Sequence, residues 1–216
     1  FGGYDNTWRN DVWELTLDGS PSWAQLNPSG TPPAPWMYTM AAYDPVRDRL
    51  IVFGGDGKFG FNLKDVWELS LSGTPSWTEL SASGGPPNGL HGSAAVYDPV
   101  RDRLLVFGGL ASASPFYPTD VWALSLAGTP TWSMVTTIGG PTTGRYGHSA
   151  IYDPIRDRMI VFGGWDGTAN LNDTWALSLS GPPTWNLIMP VGSLPPGRRE
   201  HTAIYDPTRD RMVVFA

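Results

Sequence analysis

Tyr43-Asp44-Pro45-Val46-Arg47-Asp48-Arg49-Leu50-Ile51-Val52-Phe53-Gly54-Gly55 returns as Tyr97 to Gly109 and as Tyr152 to Gly164, and a fourth copy runs from Tyr205 to Phe215. The chain opens on Phe1-Gly2-Gly3, the closing residues of the same pattern. The sequence therefore reads as four repeats of about 54 residues, cut in the middle of a repeat.

Working outward, each repeat holds four strand-like segments, A to D. In the second repeat A is Tyr38 to Tyr43, B is Arg49 to Phe53, C is Asp65 to Leu71 and D is Ser76 to Leu80. None has a helical period, and each is bounded by turn residues. The A–B turn reads Asp-Pro-x-Arg-Asp in all four repeats. Proline fixes φ at the second turn position, and the aspartate before it accepts a bond from the backbone two residues on. The C–D turns are nearly as uniform: Gly19-Ser20-Pro21, Gly73-Thr74-Pro75, Gly128-Thr129-Pro130 and Gly181-Pro182-Pro183. The B–C connections vary, with seven residues in the first repeat (Tyr4 to Asn10), nine in the second, ten in the third and eight in the fourth. The D–A connections keep their length but change content. In an antiparallel meander successive turns alternate between the two ends of the sheet. The uniform turns thus share one face, and the variable loops share the other.

Bulk properties narrow the function. The 216 residues suit one continuous repeat body. The 26 glycines and 21 prolines recur in register, which favours short strands joined by tight turns. No apolar run approaches the roughly 18 residues of a membrane span, and no signal peptide is visible. The net charge of −6 argues against nucleic acid, which calls for a basic face. The absence of cysteine removes disulfides, thiolate metal sites and cysteine nucleophiles together.

The pattern resembles the kelch repeat: a strand ending in Gly-Gly, a variable loop, Asp-Val-Trp, then a second Trp about ten residues on. Here Trp13 goes with Trp23, Trp67 with Trp77, Trp122 with Trp132 and Trp175 with Trp185. The resemblance covers the whole chain. It implies an all-β β-propeller of four-stranded antiparallel blades, at 37–80, 91–135 and 146–188, with a fourth blade shared between the termini (199–216 plus 1–26). Kelch propellers usually carry six or seven blades. Four repeats leave open a small closed ring, a ring shared by two chains, a segment of a longer protein, or a head-to-tail polymer. Both faces of strand B are apolar, as a sheet sandwiched between sheets requires.

Chemistry-bearing groups are sparse. The Asp-Pro-x-Arg-Asp-Arg charges are expected to pair around a rim, at about 0–1 kcal/mol each. Galactose oxidase, a kelch-fold enzyme, implies copper, two histidines and a tyrosine cross-linked to cysteine, and there is no cysteine here. His148 and His201 hold equivalent places on strand A, where the other repeats carry Thr39 and Ser93. They are weak metal candidates, and neither cofactor nor catalysis is expected. The variable face is richer. Trp8, Trp36 and Trp165 lie outside the periodic tryptophans, and Phe59, Phe61, Phe116 and Tyr117 share those loops. Arg9 stands beside Trp8, and Arg145 and Arg198 end two D–A loops. Aromatics beside arginines are what binding hot spots use. The resemblance implies an interaction or structural module with a protein or glycan partner on this face, self-association included. Glycan binding is the alternative and a metal-dependent oxidase a remote one. The repeat type resembles secreted bacterial proteins, so an extracellular or cell-surface location is expected.

Overall fold

The computed structural model describes residues 1–57, 60–61, 65–84, 90–111 and 114–215, which hold strands and turns but no helix. Three four-stranded antiparallel meanders form the body. Their A strands are Met40–Asp44, Ala94–Asp98 and Ser149–Asp153. Strands B (Arg49–Phe53, Arg103–Phe107, Arg158–Phe162), C (Val66–Ser70, Val121–Ser125, Thr174–Ser178) and D (Ser76–Leu80, Thr131–Val135, Thr184–Ile188) follow in order outward. The register repeats: Phe53, Phe107 and Phe162 lie opposite Val66, Val121 and Thr174.

Alternation along strand B explains why it is apolar throughout. Leu104 and Val106 face the preceding sheet, in one cluster with Ile51, Phe53 and Val66. Leu105 and Phe107 face the following sheet, in another with Met159, Val161 and Leu177. Neither face of the strand meets water, so the period-two pattern carries no polar half. The D-strand tryptophans complete these layers. Trp77, Trp132 and Trp185 each lean on the last strand-B phenylalanine of the preceding repeat, Phe1, Phe53 and Phe107, at ring centroid distances of 4.9, 4.8 and 5.0 Å.

The Gly-Gly pair forms the joint between neighbours. The second glycine donates its N–H to a carbonyl in the next D–A loop: Gly55 to Leu90, Gly109 to Arg145 and Gly164 to Arg198, at 3.2, 2.8 and 2.8 Å. The first sits so close that a Cβ on Gly108 would lie 2.6 Å from the Arg145 carbonyl oxygen, at φ +64°. Gly73 has a similar φ of +69° with nothing within 4 Å of its absent Cβ. Gly108→Ala is therefore expected to cost about 2–4 kcal/mol, and Gly73→Ala about 1–2 from backbone strain alone. Urea unfolding of the two variants checks this. Equal losses would show that the docked carbonyl contributes nothing.

At the other end of the sheets the turn charges link neighbours. Arg47 pairs with Asp102, Arg101 with Asp157 and Arg156 with Asp210, at 2.5, 2.7 and 2.6 Å, and each arginine also reaches its own turn aspartate. The rim pairing is the expected one, but its setting differs from a surface one. Asp44, Asp98 and Asp153 have side chains 0–2% exposed, so their carboxylates depend on these partners.

The expected sharing of a blade between the termini is not made. Val12–Thr16 pairs only with Ser22–Leu26, and Thr202–Asp206 only with Arg211–Phe215, in two separate two-stranded sheets among the described residues. Val12 and Val213 thus belong to different layers. Phe1 already rests on Trp77, the place that the strand-B phenylalanine of that blade would take.

Candidate functional site

The face opposite the charged turns is built on a backbone collar. In the D–A triplets Trp36-Met37-Tyr38, Leu90-His91-Gly92, Arg145-Tyr146-Gly147 and Arg198-Arg199-Glu200 the third residue is left-handed, at φ 55°, 61°, 64° and 59°. This turns the N–H of one repeat onto the carbonyl of the one before. Gly92 donates to Tyr38, Gly147 to Gly92 and Glu200 to Gly147, at 3.4, 2.7 and 2.6 Å. The residues just before this position are Met37, His91, Tyr146 and Arg199, four different chemistries on one backbone plan.

Three of these side chains, His91, Tyr146 and Arg199, form an arc with Tyr38, Tyr117 and Trp165. Tyr117 stacks on Tyr146 (6.1 Å, 14°), Tyr146 meets His91 edge-on (6.5 Å) and His91 meets Tyr38 (6.1 Å). The Arg199 guanidinium lies 4.8 Å from the Trp165 ring and 5.8 Å from that of Tyr146, within cation–π range. Its Nε is 3.9 Å from the Glu200 carboxylate. The Glu200 charge, with burial behind it, pushes the Tyr38 phenol up. Glycines allow the loops to nest: a Cβ on Gly167 would strike the Tyr117 ring at 2.7 Å, and one on Gly144 the Tyr117 carbonyl at 2.0 Å. Beside the arc runs a groove of about 440 Å³, walled by Pro115, Phe116, Tyr117, Asp120 and Asp166.

The sequence candidates separate on this frame. Trp165 and Tyr117 join the arc, both half-buried. Phe116 is 56% exposed on the groove. Trp8 is half-buried in a small hairpin, edge-on to Tyr4, and Arg9 next to it is exposed and paired with Asp5 at 2.7 Å. Arg198 is half-buried and donates to the Pro196 carbonyl. Phe61 is in a two-residue strand with Gly60, and Phe59 lies outside the described residues. Two candidates are withdrawn from the surface. Trp36 is 2% exposed, packed with Val52, Leu69 and Trp77. Arg145 is 1% exposed, donating to both carboxylate oxygens of Asp173 at 2.6 and 2.9 Å and to the Gly163 carbonyl. It braces its own blade. Sequence reasoning misses Tyr38, His91, Tyr146 and Arg199. Their signal is positional: each stands one or two residues after a D–A residue that the comparison between repeats brings out.

His148 and His201 act as inter-blade packing groups. Each ring meets the preceding strand-B phenylalanine edge-on at 5.4 Å, His148 on Phe107 and His201 on Phe162. His201 Nε2 shares a 2.8 Å hydrogen bond with the Ser149 hydroxyl. Burial, and then the Arg145 charge, push His148 down to about 3. Among the described residues no three His, Asp or Glu side chains converge as a metal set.

Stacked four-stranded meanders joined face to face define a β-propeller architecture. The KLHDC2/KLHL20/DRC7 Kelch-repeats domain model matches residues 1–216, so the chain belongs to the kelch-repeat family. It is 31% identical to Putative adagio-like protein 2 of Oryza sativa subsp. japonica over 95% of this chain and 34% of the relative. Adagio protein 3 of Arabidopsis thaliana is 29% identical, with the same coverage of 95% and 34%. Host cell factor 1 of Homo sapiens is 32% identical over 76% of this chain and 9% of that protein. The chain thus spans about a third of the length of these plant relatives. Among solved structures it is similar to YjhT, with a TM-score of 0.69 and 19% identity over 90% of this chain and 62% of that one.

Proposed function

We propose that this chain is a non-catalytic interaction module that engages a protein partner through its variable-loop face. Kelch repeats generally mediate protein–protein interaction. The observation that carries the reading is the Tyr117–Tyr146–His91–Tyr38 arc with Trp165 and Arg199 beside it, held on a rigid collar. Tyrosine and tryptophan supply large contact areas at low entropic cost, and arginine adds a planar charged fork. The face also suits a sugar, since Phe116 and Tyr38 are 56% and 46% exposed, and a glycan array tests that alternative directly. The edges of Val12–Thr16 and Arg211–Phe215, unpaired among the described residues, favour self-association as a second reading, tested by mass measurement in solution. An extracellular or cell-surface location is part of the proposal, and localisation of a tagged chain in its own cells tests it. Among the described residues no helix is long and apolar enough to cross a membrane.

The main test is selection of random decapeptides on the immobilised protein. Enriched peptides are expected to lose at least tenfold in affinity on Trp165→Ala. They should be unaffected by Val100→Ser on the opposite face, where Val100 is 68% exposed. Peptides that respond to Val100→Ser and not to Trp165→Ala would move the site to the wrong end of the blades.

A further inference from the structure

In the blade built from 149–188, Asp173 is compensated. It accepts Arg145 at 2.6 and 2.9 Å and the Trp175 indole at 2.7 Å. The equivalent aspartate one repeat earlier is Asp120, ahead of Val121-Trp122. There the arginine position is Leu90, which is 2% exposed and offers no charge. Among the described residues Asp120 has neither ion pair nor hydrogen-bond donor, and it is exposed on the wall of the 440 Å³ groove. Asp166 stands on the same groove. Its three hydrogen bonds, from the Thr168 N–H and hydroxyl and the Ala169 N–H, all fall on Oδ1, leaving Oδ2 without one among the described residues. Phe116 and Tyr117 supply the aromatic wall, and among the described residues no lysine or arginine lines the groove.

The geometry points to this groove as the seat of an arginine or lysine side chain of a partner peptide. Its cationic head meets Asp120 and Asp166, and its stem lies along Phe116 and Tyr117. The groove lacks the cation that the next repeat carries within its own chain, and Phe116 and Tyr117 supply aromatic surface for the aliphatic stem. Arg199, the arginine of the arc, is held at Trp165 and Glu200, so it leaves the groove uncompensated. This assignment rests on the loop-face reading above and specifies its partner.

The decapeptide selection separates the two. The expected result is a fixed arginine or lysine among enriched peptides. Their affinity should fall at least tenfold for Asp120→Asn and for Phe116→Ala, and should weaken between 0.05 and 0.5 M salt as a screened ion pair does, on the order of severalfold. Because Asp120 is exposed, Asp120→Asn is expected to unfold at the same urea concentration as the parent. Enriched peptides without a basic position, or indifferent to Asp120→Asn, would overturn the cationic assignment. If those peptides still respond to Trp165→Ala, the loop-face reading survives. If no peptide is enriched, or none responds to any loop-face substitution, both readings are lost.

Discussion

Trp132→Ala is expected to cost about 3–5 kcal/mol, while Trp23→Ala, at the same place in the repeat, costs about 1 or less. Both residues follow a Gly-x-Pro turn, so local sequence predicts one outcome for the two. The structure separates them. Trp132 is 2% exposed, lying on Phe53 within the cluster that joins two sheets, and Trp23 is 67% exposed with no preceding sheet against it. Removing Trp132 leaves a void bounded by Ile51, Phe53, Leu104 and Leu124, side chains held on stiff strands that collapse poorly. Removing Trp23 leaves only water. Urea unfolding followed by circular dichroism reads the difference. Equal losses at the two positions would mean that inter-blade packing is not what the tryptophans supply.

Acid should weaken this protein well before its carboxylates titrate. His148 is pushed down to about 3 from an ordinary value of 6.5, because burial among apolar groups and the nearby Arg145 charge disfavour the imidazolium. A histidine depressed in the folded state favours folding in its neutral form. That stability is fully present above about pH 6.5 and is lost progressively as pH falls toward 3. The expected slope is about 1.4 kcal/mol per pH unit for one such group, or roughly 2–3 kcal/mol between pH 6.5 and 4.5. His201 and His91 are lowered by burial too and add in the same direction. Burial would raise the carboxyls of Asp44 and Asp153, but their arginines outweigh it and hold them low, as Arg156 holds Asp210, and this contribution is lost only as pH falls through the ordinary carboxylate value of 3.8 and below. The window from pH 6.5 to 4.5 therefore belongs to the histidines. His148→Ser, which copies Ser93 at the equivalent place, should lower stability at every pH through lost packing on Phe107. It should also flatten the slope by about one proton's worth. An unchanged slope would mean that His148 takes up its proton at the same pH in the folded and unfolded chain.

Much of the fold is legible because turn and strand chemistry repeat together. Arg49–Phe53 and Ser76–Leu80 are the B and D strands read from the sequence. Strand A begins at Met40 and not at Tyr38, because Tyr38 is left-handed at φ 55°, a conformation that a tyrosine does not advertise. Gly92 and Gly147 at the equivalent positions carry that signal, and Tyr38 and Glu200 hide it. The site is less legible. A loop residue over a blade and one wedged between two blades look alike in sequence, so Trp36 and Arg145 read as surface groups although they are buried. The partner that buries Arg145, Asp173, belongs to the Asp-x-Trp motif, which is legible as structure but not as a carboxylate aimed at a particular arginine. The two end hairpins read as complementary halves because one supplies strands A and B of a repeat and the other C and D, but whether they meet depends on the curvature of the whole stack, which no local pattern encodes.

The collar of N–H groups handed from Tyr38 to Gly92 to Gly147 to Glu200 has a consequence for how such a face diversifies. Its main-chain donors and acceptors at those steps are already spent on one another, so a visitor meets chiefly side chains. On the proposed reading of this face, exchanging methionine, histidine, tyrosine or arginine at the residue just ahead of each step would change what is recognised while leaving these backbone bonds in place. Selectivity and stability are thereby lodged in separate atoms, and each is free to change at its own pace.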